Sequence, residues 1–176
     1  MNTNGVRQYV VVGVVPDQLD SVVAEAARFA EVFDAELVGA WVDASRYVIG
    51  SDDDGVEVAT SIDPDLADDA ELVFPAALEA EMAATLAEAP CRWSTRALAG
   101  GPYRELARLA DELDAAMIVV GTRKPGFRGS IHGFFSGSVA VQLAHRQHRP
   151  VVVIPVHPVG PTAQPPWLGG AALDGG

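Results

Sequence analysis

The chain has 176 residues, 49% hydrophobic and 20% charged, with a net charge of −12; this suits one globular domain and argues against a disordered polymer. No apolar run approaches the ~20 residues that span a bilayer, and an acidic chain is a poor general binder of nucleic acid. The start, "MNTNGVRQY", lacks the regions of a signal peptide, and Cys91 is the single cysteine; both features lead to an expectation of a cytoplasmic protein without disulfides.

In chain order, "YVVVGVV" (9–15) is nearly continuous and β-branched, as expected of a strand buried on both faces. Pro16 and Asp17 then open a predicted helix. Leu19, Val22, Val23, Ala26, Phe29, Ala30 and Phe33 fall on one face of it. "AELVGAWV" (35–42) reads as a second strand. From Asp43 to Pro75 the chain is acidic and broken by Gly, Pro and Asp clusters, which predicts an irregular surface excursion. "AALEAEMAATLAEA" (76–89) is rich in helix formers. "CRWSTRAL" (91–98) alternates like a strand. "GGPYRELARLADEL" begins a helix with Gly and Pro and carries Leu106, Leu109 and Leu113 as its apolar stripe. "AAMIVVG" (115–121) is a fourth strand. After a long glycine-rich loop, Ser138 to about His148 is a predicted helix, stopped by Pro150. "PVVVIPV" (150–156) is a fifth strand. The Pro- and Gly-rich tail, 157–176, is expected to be flexible.

Strands alternating with helices predict a parallel sheet covered on both faces by right-handed crossovers. Ligands of such sheets bind beyond the carboxyl ends of the strands, where the strand order reverses. The loop after the fourth strand belongs at that edge. Its charge is distinctive. Between Arg46 and Arg92 there are twelve acids and no base, whereas 115–173 holds no acid and five bases, Arg123, Lys124, Arg128, Arg146 and Arg149. An acid-free basic segment in an acidic chain fits a small anion.

The loop's chemistry supports two readings. Gly121, Gly126, Gly129, Gly133 and Gly137 let backbone N–H groups converge and a ligand approach closely. The helix from Ser138 offers free N–H groups and a positive dipole end. Arg123, Lys124 and Arg128 add charge, so a phosphate cradle fits. The alternative is that the glycines only make turns and Ser136 or Ser138 caps the helix. Elsewhere, His145 and His148 lie three apart with no third ligand in view, so no metal site is predicted. Cys91, with only Arg92 beside it, reads as an inert thiol. Trp41 reads as core. No P-loop, no G-x-G-x-x-G after the first strand and no nucleophile elbow is present.

These five strands, "GGPYRELARLADELDAAMIVVGTR" and "GSVAVQLAHRQHRPVVVIP" resemble the universal stress protein family over residues 8 to 156. The resemblance implies an α/β domain with an open five-stranded parallel sheet of order 3-2-1-4-5, helices on both faces, of the adenine nucleotide alpha hydrolase-like kind. It also implies a stress-response module that binds ATP, with Mg²⁺ accompanying it, or another phosphorylated ligand, and a homodimer formed through the last strand, Val151 to Pro155. Members that bind ATP use a loop of the form G-x2-G-x9-G-S/T and an Asp just after the first strand. Carried onto matching positions, this implies contacts from Val15, Pro16, Asp17 and Val42. In and after the loop it implies Gly121, Thr122, Arg123, Lys124, Gly126, Gly129, Gly137, Ser138 and Val139.

Two departures motivate an alternative. Fifteen residues separate Gly121 from Gly137, more than the motif holds, and Lys124 takes the place of its second glycine. Val15 falls where the acidic residue is expected; Asp17, two residues on, also suits capping of the following helix. The alternative is a dimeric interaction protein that keeps the fold and has lost the nucleotide. A slow ATP hydrolysis is a third reading, for which the residues specify no base.

Overall fold

The computed structural model describes residues 7–16, 18–51, 57–63, 70–122 and 138–156. The strands are β1 (Gln8–Gly13), β2 (Ala35–Asp43), β3 (Arg46–Ser51), β4 (Glu57–Ser61), β5 (Ala70–Glu71), β6 (Trp93–Ala99), β7 (Met117–Gly121) and β8 (Val151–Ile154). The helices are α1 (Leu19–Val32), α2 (Ala76–Thr85), α3 (Pro102–Glu112) and α4 (Ser138–Arg146). Five strands form one sheet in the order β6-β2-β1-β7-β8, all neighbours parallel. Counted along the five strands of this sheet, that is the expected 3-2-1-4-5.

The central strand explains the architecture. Val10, Val11 and Val12 are fully buried. Their side chains alternate between two cores because successive strand residues face opposite ways. Val10 and Val12 meet Leu19, Val22, Val23 and Ala26 of α1 and Met82 of α2. Val11 meets Leu106, Leu109 and Ala110 of α3 and Val139 and Leu143 of α4. Each helix therefore lays one apolar stripe on one face of the sheet. Among the described residues no helix is long and apolar enough to cross a membrane.

Several boundaries differ from the sequence reading. β1 ends at Gly13, although the Val14 N–H still donates to the Ala40 carbonyl at 2.9 Å. Helix α1 starts at Leu19 with Gln18 as its N-cap, so Pro16 lies outside it; α2 stops at Thr85, and β6 begins at Trp93 rather than at Cys91. α1 and α3 both stop without glycine. Asp34 and Asp114 take positive φ, 49° and 47°, one residue past each C-cap. Aspartate tolerates this left-handed geometry better than most residues.

The largest correction concerns the excursion. It is not irregular throughout: β3, β4 and β5 form a second, antiparallel sheet in that order. Val48, Val58 and Thr60 suit strands. Ala59 and Leu72 are buried against Ala99, with Trp41 and Ala97 packed alongside. The small sheet is thus held by packing on the ends of β2 and β6, and Arg108 of α3 ties it further, 3.8 Å from Glu57.

The opposite edge is closed by Arg149. It lies three residues past Arg146, the last residue of α4. Its Nε–H donates to the Ala115 carbonyl at 2.8 Å, its guanidinium pairs with Asp111, and Nη2 lies 3.0 Å from Asp114. The Arg149 side chain is 9% exposed, while both carboxylates reach solvent. Arg149→Met is expected to cost about 2 kcal/mol, since it removes charge-assisted bonds but leaves carboxylates that can rehydrate. Urea denaturation checks this, and an unchanged midpoint would contradict the clasp.

Candidate functional site

In the five-stranded sheet the chain turns left from β1 to β2 and β6, and right to β7 and β8. The strand order therefore reverses between β1 and β7, and the crevice beyond their carboxyl ends is the expected ligand position. The described residues at that edge are Val14 to Pro16, Gln18, Trp41 to Asp43, Gly121, Thr122, the start of α4, and Ile154 to Val156.

The described site candidates occupy different environments. Val15 is half-buried and Pro16 exposed on the turn from β1 to α1. Val42 is buried in the α3 and α4 core opposite Leu98 of β6. Val139 is buried in the same core. Ser138 is the first residue of α4, and its backbone stands at the helix end that attracts anions. Asp17, Arg123, Lys124, Gly126, Gly129 and Gly137 lie outside the described residues.

Gly121 and Thr122 are tightly engaged. A Cβ on Gly121 would lie 2.7 Å from Gln18 Oε1, 2.7 Å from Val22 Cγ2 and 3.0 Å from Val156 Cγ2. Only glycine lets the start of α1 and the exit of β8 come this close. The Thr122 N–H donates to the Ile154 carbonyl at 2.8 Å, and the Val156 N–H donates to Thr122 Oγ1 at 2.9 Å. Thr122 thus braces β8, although its hydroxyl keeps a proton to donate.

Gln18 is a residue that the sequence reading passed over. It is half-buried at the N-cap of α1, and its side chain makes no capping hydrogen bond. Its amide lies over Gly121, between the exits of β1 and β7. The available signal was a polar amide two residues past the Pro that follows the first strand.

On the β2 side, Asp43 is already used. Its Oδ1 accepts from the Ser45 N–H at 2.9 Å and from the Ser45 hydroxyl at 2.6 Å. Its carbonyl accepts from the Gly100 N–H at 3.0 Å. Gly100 adopts φ 130°, which closes the turn from β6 into α3. Trp41 is half-buried and packs against both the α1 core and the small sheet, in keeping with a core role.

Two cations of the acid-free segment are drawn elsewhere. Arg149 belongs to the clasp at the other sheet edge. The Arg146 guanidinium lies 5.4 Å from the Tyr103 ring centre, and that of Arg104 lies 5.7 Å from it. The Arg104 Nε–H donates to the Tyr103 hydroxyl at 2.8 Å. That bond pulls the hydroxyl below its ordinary pKa, outweighing partial desolvation. The other three bases of the segment, Arg123, Lys124 and Arg128, lie outside the described residues.

Burial pushes the Cys91 thiol up; a backbone hydrogen bond opposes this, and Glu31 adds to the rise. This fits an unreactive thiol. Among the described residues no three His, Cys, Asp or Glu side chains are grouped to hold a metal ion.

Known proteins extend this picture. The universal stress protein from Archaeoglobus fulgidus is 22% identical, with a TM-score of 0.54 over 84% of this chain and 98% of that one. A universal stress protein in complex with cAMP is 26% identical, with a TM-score of 0.52 over 84% of this chain and 95% of that one. The Archaeoglobus fulgidus protein in complex with dAMP, 18% identical, shares the fold with a TM-score of 0.50 over 85% of this chain and 99% of that one. No curated protein matches the sequence. The model of the universal stress protein family matches residues 7–155. With that match and the sheet order expected of the family, the chain belongs to the universal stress protein family.

Proposed function

We propose that this protein binds an adenine nucleotide, ATP or a related phosphorylated ligand, in the crevice between the carboxyl ends of β1 and β7, and acts as a non-catalytic response module. The observation that carries this reading is the strand order of a universal stress protein sheet, which reverses between β1 and β7, with α4 the helix that follows β7 in the chain. The cAMP complex of the 26% identical relative supports a nucleotide as the ligand class. The base would lie near Val15, Pro16 and Val42. The phosphates would meet the backbone from Gly121 and Thr122 through Arg123, Lys124, Gly126, Gly129 and Gly137 to Ser138 and Val139. Val15 provides no carboxylate, so in this reading the Gln18 amide supplies the polar contact on that turn. Mg²⁺ would arrive with a triphosphate, because such ions keep most of their ligands from phosphate and water.

A homodimer through β8 accompanies the proposal. β8 is an edge strand with Val153 43% exposed, and Val141 on α4 is 56% exposed. Pairing of the last strand with a second copy would cover this edge.

A second reading has its own observation. The Thr122 hydroxyl already accepts from Val156, and Gly121 is packed beneath Gln18, Val22 and Val156. A crevice filled in this way suits an interaction protein that has given up the nucleotide. Calorimetric titration with ATP, AMP and cAMP, with and without Mg²⁺, separates the two. The proposal expects a Kd on the order of 1–100 μM, weakened at least about tenfold in Gly137→Val because a side chain there blocks close approach. Absence of heat up to millimolar nucleotide would favour the second reading.

A further inference from the structure

Tyr103, Arg104 and Arg146 have no part in the nucleotide reading, and together they break a local rule. Arg104 lies in the first turn of α3, at the helix end where a cation is disfavoured. Tyr103 holds it there, since the Arg104 Nε–H donates to the Tyr103 hydroxyl at 2.8 Å. Arg146, in the last turn of α4, comes to the same ring. Its guanidinium lies 5.4 Å from the ring centre, and that of Arg104 lies at 5.7 Å. Two exposed guanidiniums thus share one half-buried tyrosine that packs on the α3 and α4 core. Like charges gathered at one point repel unless an anion offsets them, and a broken local preference of this kind marks a functional position.

No carboxylate of the two helices offsets them. The acids between 102 and 116 are Glu105, Asp111, Glu112 and Asp114. Arg108 holds Glu105 at 2.9 Å and Glu112 at 2.6 Å, and Arg149 holds Asp111 and Asp114. Residues 138–150 contain no acid. Among the described residues, neither Arg104 nor Arg146 takes part in an ion pair. The charge is felt at the Tyr103 hydroxyl. The Arg104 hydrogen bond lowers its pKa against partial desolvation, and the charges of Arg104 and Arg146 add to the fall. A field that favours a phenolate there also favours an oxyanion placed beside it. The hydroxyl accepts from Arg104 and keeps its own proton to donate. Two guanidinium forks match one dianion, and each can hold a pair of its oxygens. A lone carboxylate would leave one charge over, and the net charge of −12 would repel a polyanion.

We propose that Arg104, Arg146 and the Tyr103 hydroxyl form a surface site for a phosphoryl dianion, free phosphate or the phosphate monoester of a small metabolite. The guanidiniums grip its oxygens from α3 and from α4, and the hydroxyl donates to a third oxygen. The bound dianion ties the start of one helix to the end of the other.

The test follows the Cζ carbon signals of Tyr103, Arg104 and Arg146 in the full chain by NMR, at about pH 7.5, where a phosphate monoester is a dianion. The probes are inorganic phosphate and glycerol phosphate, with acetate and chloride as controls at matched ionic strength. The amides of Ser138 and Val139 report on the crevice in parallel, so the two sites are read separately. Saturable shifts are expected at all three side chains, with a Kd on the order of 0.1–1 mM. Arg146→Gln should weaken binding by about fivefold or more, and Tyr103→Phe by less. Tighter binding of glycerol phosphate identifies a metabolite ester as the ligand, and equal or weaker binding identifies free phosphate. Shifts confined to Ser138 and Val139 would overturn the site. So would a response that acetate or chloride matches, or an affinity unchanged in Arg146→Gln.

Discussion

Truncation of Leu106 to alanine is expected to lower the stability of this protein by about 4 kcal/mol, the upper part of the range for leucine in a closed core. Leu106 is fully buried on the inner face of α3. It sits among Val11, Val38, Ile118 and Leu143, so helix and sheet side chains enclose it. Its Cδ1 lies 3.3 Å from where a Cβ on Gly13 would be, at the carboxyl end of β1. A cavity there loosens the central strand just where the chain leaves for the candidate site. The midpoint of thermal unfolding should fall by roughly 10 °C for a chain of this size. A loss under 1 kcal/mol in chemical denaturation would mean that α3 does not seat on the sheet through this residue.

Gly121→Val is expected to be nearly as damaging, by a different route. The added side chain meets Gln18 and Val22 at 2.7 Å, closer than real Cβ atoms come, and Val156 at a tight 3.0 Å. Gln18 can swing aside at small cost. Val22 cannot, because it is buried in the core beneath α1. The start of α1 or the exit of β8 must move, at a cost of about 3 kcal/mol for overpacking. The same movement would pull Val156 from Thr122 and disorder the crevice. A stable Gly121→Val protein, with its unfolding midpoint within about 2 °C of the parent, would contradict this packing.

The sheet was readable in the sequence because its strands are local in composition. "YVVVG" could be placed as a central strand from its unbroken apolar run, and Val10 to Val12 are indeed buried on both faces. Leu106 and Leu109 could be assigned to the core from spacing alone. Phe33, read on the same stripe as Leu19 and Val22, is 42% exposed because it follows the last helical residue. The helix stops at Asp34 and Asp114 were not legible, since aspartate marks caps and turns of many kinds.

The small sheet was missed for a related reason. β5 is two residues long, and β3 and β4 are separated by a run of aspartates. Such strands exist through cross-strand pairing and the burial of Ala59 and Leu72, neither of which leaves a local signature. Arg149 is the counterpart among charges. Sequence position placed it with the basic loop, but Asp111 and Asp114, distant along the chain, claim it. Of the candidate site, the motif named Gly121 and Ser138, which end β7 and begin α4. Gln18 became visible only when the fold laid it across Gly121.

Amide hydrogen exchange of the intact protein, with and without saturating ATP, tests the central claim most directly, because it reports where a ligand acts. The account expects slowed exchange at Val15, Gln18, Gly121, Thr122 and Val139, with β3 unchanged. Protection confined to β3 and β4, or none at these positions under conditions where ATP is bound, would contradict a nucleotide site between β1 and β7.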